Sequence, residues 1–230
     1  MCSAYYQLPG GRLAVLENDM PFPAPELALK EPNGLLAIGG DLSPERLLSA
    51  YRLGIFPWFS EGEPVMWWSP DPRMVLLPDE LKVSRSLSKK LKSTAHEVRF
   101  NTAFREVMQA CAATRRDGQN GTWITAAIIE SYCKLHELGY AHSAETWIDG
   151  RLVGGLYGVA IGKMFYGESM FHHVTDASKI AFVHWVRHLQ AQGFGLIDCQ
   201  MKTPHLASLG AREIPRADFS QRLSKLVDCD

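Results

Sequence analysis

Three side chains in the second half of the chain are of the types that move protons. The run Leu196-Ile-Asp-Cys-Gln200 is apolar apart from Asp198 and Gln200. Read as a strand, it puts alternate residues on one face about 6.6 Å apart. Asp198 and Gln200 then point one way, Ile197 and Cys199 the other. An acid and an amide in an otherwise apolar strand need partners or a cavity, or else the strand end faces solvent. Glu168 is an isolated acid in the aromatic run Phe165-Tyr-Gly-Glu-Ser-Met170. A solvent-facing position on a half-exposed strand is its plain alternative, but Gly167 beside it allows a close backbone approach. Perturbed carboxylates cluster at functional sites, so Asp198, Gln200 and Glu168 are candidates for acid–base chemistry.

A second kind of chemistry is offered by Lys82, Arg85, Lys89, Lys90 and Lys92, a dense basic run with no acid between Leu81 and Lys92. On a helix, positions 85, 89 and 92 share a face. Such a stripe can hold phosphates, although a solvated helix face is the usual outcome of the pattern. The aromatic segments Ile55-Phe-Pro-Trp-Phe59 and Trp67-Trp-Ser-Pro-Asp-Pro72 supply rings for bases, so stripe and rings suit one nucleic-acid ligand. The eight histidines form no H-E-x-x-H or similar pattern and read as core or surface residues. Ser143, Ser169 and Ser178 lack the G-x-S-x-G elbow of a hydrolase.

These residues need elements to hold them. The first 30 residues, with Pro21-Phe-Pro-Ala-Pro25, read as extended, irregular chain. Ser43 and Pro44 start a helix closed by Gly54. Ser84 caps a short helix to Lys92. Apolar residues at Phe104, Val107, Met108 and Cys111 predict a helix over Ala103–Arg116, ended by Gly118. Another runs from Thr125 to Leu138. Ala141–Ile148, Arg151–Ile161 and Met164–Phe171 read as consecutive strands, the first pair joined by the hairpin turn Asp149-Gly150. Asp176 caps a helix to Gln192, followed by strand Leu196–Gln200, a helical turn at Leu206–Leu209 and a last short strand at Glu213–Pro215. The expected class is α+β: a small N-terminal α/β domain over residues 1–90, then a GNAT-like acyltransferase domain over 91–230 with a mainly antiparallel sheet.

A chain of 230 residues, 46% hydrophobic, can bury a real core. Its net charge of −1 confines any RNA contact to a local patch. Five scattered cysteines form no C-x-x-C pair, which argues against a disulfide framework or structural zinc. Free thiols suit the cytoplasm. Met1–Pro9 has no secretory pattern. The apolar stretch from Leu152 to Gly162 is far short of the roughly 20 residues of a membrane helix.

A coenzyme A-dependent acetyltransferase usually carries a glycine-rich turn, R/Q-x-x-G-x-G/A, before its central helix. Here that stretch is Phe171-His-His-Val-Thr-Asp-Ala-Ser-Lys179, without glycine, so a different acyl donor is expected. The basic stripe also leaves room for a non-catalytic RNA-binding module, in which the acid–amide group would be idle.

The chain carries Glu31-Pro-Asn-Gly-Leu-Leu-Ala-Ile-Gly-Gly-Asp-Leu-Ser43, Gly54-Ile-Phe-Pro-Trp-Phe59, Trp67-Trp-Ser-Pro-Asp-Pro-Arg73, Val83-Ser-Arg-Ser86 and Thr122-Trp-Ile124. It continues with Leu152-Val-Gly-Gly-Leu-Tyr-Gly158, Gly167-Glu-Ser-Met-Phe171, Asp176-Ala-Ser-Lys179, Leu196-Ile-Asp-Cys-Gln200 and Ser208-Leu-Gly-Ala211. On these motifs it resembles the bacterial leucyl/phenylalanyl-tRNA–protein transferases close to end to end. His172-His173 depart from the pattern, standing where the family often has Ser and a variable residue. The resemblance implies two domains, the second GNAT-like, and no metal or organic cofactor. It implies leucyl-, phenylalanyl- or, less well, methionyl-tRNA as donor and a protein beginning with Arg or Lys as acceptor, the product being marked for N-end-rule degradation. It further implies that Asp198 and Gln200 act in peptide-bond formation, with Glu168 in a supporting hydrogen-bond network. Trp58, Trp123, Phe165 and Met170 would line the aminoacyl pocket. The tRNA contacts are expected from the stripe of Arg85, Lys89, Lys90 and Lys92.

Overall fold

The computed structural model describes residues 4–8, 11–17, 19–114 and 122–229. Strands β1 (Ala4–Leu8), β2 (Gly11–Leu16), β3 (Leu35–Gly39), β4 (Phe56–Pro57) and β5 (Met66–Trp68) form one sheet, in the order β1-β2-β3-β5-β4. Helix α1 (Pro44–Arg52) lies between β3 and β4. Ser43 accepts a hydrogen bond from the Arg46 amide, as a capping serine should, a bond of a kind that contributes about 0.5–2 kcal/mol. The first 30 residues are therefore more regular than their prolines predict: those prolines lie between β2 and β3 and leave both strands intact.

The second sheet runs β12-β6-β11-β10-β9-β8-β7. Its strands are β6 (Arg73–Leu76), β7 (Glu97–Phe100), β8 (Ala141–Ile148), β9 (Arg151–Ile161), β10 (Met164–His172), β11 (Leu196–Gln200) and β12 (Arg212–Ile214). All neighbours are antiparallel except β10 and β11. Helices α2 (Arg85–Leu91), α3 (Phe104–Ala113), α4 (Ala126–Glu137), α5 (Ala177–Ala191), α6 (Pro204–Ser208) and α7 (Arg216–Leu226) complete the chain. Helix, helix, three antiparallel strands, helix and parallel strand make the expected GNAT-like order. The change of sheet falls between β5 and β6, so residues 73–76, counted with the first 90 on the sequence pattern, pair within the larger sheet. The expected helix end at Arg116 and Gly118 lies outside the described residues, as does Cys2. Among the described residues no helix is long and apolar enough to cross a membrane.

The larger sheet divides two apolar layers, because successive strand residues face opposite ways. Phe104, Val107 and Met108 of α3 and Tyr132 of α4 pack with Tyr157 and Tyr166 on one side. Ala181, Trp185 and Leu189 of α5 pack with Leu156, Phe165 and Ile197 on the other. Gly154 permits this closeness: a Cβ there would stand 2.5 Å from that of Ala177 at the start of α5. The close approach expected at Gly167 is absent, since a Cβ there would meet the Asp198 carbonyl oxygen at an ordinary 3.6 Å. Asp176 holds the capping position of α5 but caps nothing; its φ is +68° and its carboxylate turns to Lys90 and Lys179. The start of α3 has no cap of its own. Just before it, buried Glu145 of β8 fixes the chain, accepting from the amides of Thr102 and Ala103 and the hydroxyls of Thr102 and Ser143.

Candidate active site

The parallel pairing of β10 and β11 ends at Tyr166 and Asp198. Each strand then carries a bulge. In β10 the register against β9 shifts between Gly167 and Ser169, leaving Glu168 as the extra residue. In β11 it shifts against β6 between Asp198 and Gln200, with Cys199 the extra residue and Gln200 at φ +55°. Bulges re-aim side chains, and this pair defeats the period-two reading. Asp198 and Gln200 do not face the same way.

A cavity of about 850 Å³ lies beside the two strands. Its apolar wall is formed by Leu156, Phe165, Met170, Phe182, Ile197 and Leu206. Phe56, Pro57, Trp58 and Trp123 add an aromatic edge, drawn from the β4 and pre-α4 segments. Glu168 and Gln200 both line it. The four expected pocket residues, Trp58, Trp123, Phe165 and Met170, are thus brought together. His172 and His205, given no role in the sequence, are part of the same lining.

Asp198 is not part of the lining. It is fully buried, and both carboxylate oxygens accept from Arg73, Oδ1 from Nε at 2.8 Å and Oδ2 from Nη2 at 2.7 Å. Oδ1 also accepts from the Gln200 amide at 2.9 Å. Asp198 therefore lies behind the cavity wall, bonded to Arg73 and to the backbone of Gln200.

Glu168 faces the cavity with its carboxylate held among three donors. Tyr51 of α1 donates at 2.7 Å and the Gln200 carboxamide at 3.2 Å, both to Oε1; Tyr132 of α4 donates to Oε2 at 3.3 Å. The two phenol oxygens also lie within hydrogen-bonding reach of each other, so their two protons are shared among these three contacts. Burial pushes the Glu168 carboxyl up to about 8, and the Asp198 charge adds to the rise, while the hydrogen bonds and the Arg73 cation hold it back. Burial and the Glu168 charge raise both phenols well above their ordinary value, so they remain donors near neutral pH. A carboxyl titrating near 8 at the wall of an apolar cavity can take a proton from an amine of similar basicity. Tyr51, Tyr132 and Arg73 give no functional signal in the sequence. Tyr132 occupies an inward helix position, which is how core residues look, and the acid nearest Arg73 in sequence, Asp71, is not its partner.

In the basic stripe, Arg85, Lys89, Lys90 and Lys92 are exposed on and just after α2. Lys90 pairs with Asp176 at 2.6 Å. Arg85, Lys89 and Lys92 make no ion pair among the described residues. Asp176 lies two residues before Ser178, which lines the cavity, so the stripe adjoins the site. Among the described residues no group of three His, Cys, Asp or Glu side chains is arranged to hold a metal ion.

Comparison with known proteins agrees along the chain. A family model described as leucyl/phenylalanyl-tRNA protein transferase matches residues 75–224, and one for the N-terminal domain of that family matches 40–71. The leucyl/phenylalanyl-tRNA–protein transferase of Nitrosomonas europaea is 65% identical over 93% of this chain and 90% of its own length. That of Thiobacillus denitrificans is 66% identical over 90% of each chain. That of Chromobacterium violaceum is 65% identical over 90% of this chain and 88% of its own.

Proposed function

The chain belongs to the leucyl/phenylalanyl-tRNA protein transferase family, and on that premise we propose which substrates it joins and which side chains join them. The donor is leucyl- or phenylalanyl-tRNA, with methionyl-tRNA a poorer one. The acceptor is a protein whose first residue is Arg or Lys. The product is a substrate of N-end-rule degradation in the cytoplasm. The reading is carried by one observation: an apolar cavity of the size and chemistry for an aminoacyl group whose lining, among the described residues, contains a single carboxylate, Glu168, hydrogen-bonded to Gln200.

The donor side chain lies against Phe165, Met170 and their apolar neighbours, with Trp58 and Trp123 at the aromatic edge. The acceptor's α-amine, with an ordinary pKa of about 7.7–8, is largely protonated at neutral pH. It attacks in its neutral form, with Glu168 ionised beside it. The amine nitrogen attacks the ester carbonyl carbon and gives a proton to Glu168 as the C–N bond forms; the C–O bond to the terminal adenosine's ribose then breaks. The proton on Glu168 passes to the ribose oxygen. Gln200 orients the reacting groups from beside Glu168, and the two tyrosines keep the carboxylate fixed. Because the ester is already activated, orientation supplies much of the rate; well-placed reactants gain about 7–11 kcal/mol. We assign Asp198, a candidate from the sequence for acid–base chemistry, to a supporting role behind Gln200, because its oxygens are engaged by Arg73.

Met170→Trp, which fills the cavity from its wall, tests this. Transfer from Phe-tRNA should be lost with tRNA affinity unchanged. Unimpaired transfer would refute the cavity as the aminoacyl site.

A further inference from the structure

Arg73 is not part of the cavity lining, yet the reacting pair is joined to it. It opens β6 and is fully buried, as is its partner Asp198. Its guanidinium carbon lies 4.9 Å from the ring centre of Phe56 and 4.6 Å from that of Phe219, so β4 and α7 grip it from two directions. Its two-pronged bond to Asp198 leaves Oδ1 placed to accept the Gln200 amide. That bond spans the bulge at Cys199 and holds Gln200 at φ +55°. Side chains other than glycine rarely take this backbone region and keep it only where the surroundings enforce it. From there Nε2 of Gln200 reaches Glu168 at 3.2 Å. A buried ion pair is a weak source of stability, because desolvating two charges offsets their attraction. Stability alone is therefore a poor reason for this one.

We infer that Arg73 is a positioning residue for the transfer reaction: through Asp198 it holds the β11 bulge in the form that aims the Gln200 carboxamide at Glu168. The inference rests on the part given to Gln200 above.

Arg73→Lys keeps a cation against Asp198 but loses the planar fork that bonds both oxygens. Its kcat should fall about 10- to 100-fold, as a misplacement of about 1 Å can cost about 10²-fold. KM for Phe-tRNA and the melting temperature should stay near those of the unaltered protein. Arg73→Met combined with Asp198→Leu removes both charges at once, a replacement that buried pairs often tolerate; it should fold and show the same loss of kcat. In a Gln200→Ala background Arg73→Lys should add nothing, since residues in one network do not act independently.

Full kcat in either folded variant would overturn the inference, as would independent, multiplying losses in the Gln200→Ala background. Full transfer by Gln200→Ala alone would refute the reading of Gln200, and this inference with it. Loss in Gln200→Ala without loss in Arg73→Lys would refute the inference alone. If Arg73→Lys does not fold, the double replacement carries the comparison; if neither folds, the role of Arg73 is structural and the inference fails.

Discussion

Replacing Glu168 by Gln should change the steepness of the pH profile as well as the rate. Glu168 titrates near 8 in the folded protein, and the acceptor amine near 7.7–8. Transfer needs both deprotonated. At pH 7 about one tenth of the carboxyl and about 10–17% of the amine are in that form, and at pH 9 about nine tenths of each or more. The product of these fractions makes kcat/KM rise about 60- to 100-fold from pH 7 to pH 9 in the unaltered protein. With Gln at 168 only the amine titrates, and the rise shrinks to about 6- to 10-fold. At pH 9 the variant should also be slower by about 10²–10⁴-fold, the usual worth of a general base. Initial rates with an aminoacylated adenosine and an Arg-initiated peptide, corrected for ester hydrolysis, measure both. Equal steepness in the two proteins would remove Glu168 as the base. The same ionisation links to stability. A carboxyl raised from 4.5 to about 8 by folding lets the folded state bind more protons than the unfolded one, so stability is lost as pH climbs through that window. Glu168→Gln should therefore gain in melting temperature relative to the unaltered protein as pH rises from 5 to 9.

Asp198→Ala leaves the Arg73 cation buried without its partner and should lower the unfolding free energy by about 3–5 kcal/mol, read by urea titration; an unchanged midpoint would mean the pair is structurally idle. Donors branched at Cβ should transfer poorly, since the extra methyl of Val or Ile meets the cavity wall, though one methyl is worth only about 1–3 kcal/mol; equal kcat/KM for Ile-tRNA and Leu-tRNA would contradict a shaped pocket. Arg85→Ala, Lys89→Ala and Lys92→Ala together should weaken Leu-tRNA and Phe-tRNA alike and flatten the log–log salt dependence by about 0.7–0.9 for each phosphate no longer neutralised. An aminoacylated adenosine should be used as well as before; an unchanged salt slope would return the stripe to a solvated face.

Periodicity makes much of the second half legible. The strands at Ala141–Ile148 and Arg151–Ile161 and the strand Leu196–Gln200 stand where alternation and the Asp149-Gly150 turn put them. Helix α4 begins at its Thr125 cap. The final helix α7 goes unseen, because its mixed, mostly polar face gives little signal beyond Phe219 and Leu223. The apolar lining is legible through the family motifs. The direction of Asp198 is not: alternation assumes an unbroken ladder, and two bulges break it at the positions that matter. Nor can Arg73 be paired from sequence with a residue 125 positions away, since only the folded sheet brings β6 beside β11.

The most direct test of the proposed chemistry is transfer of labelled phenylalanine from Phe-tRNA by the purified protein to peptides that differ only in their first residue. Label should appear in amide linkage on the peptides beginning with Arg and Lys and not on one beginning with Ala. Absence of label from all three, or equal labelling of all three, would contradict the proposed reaction.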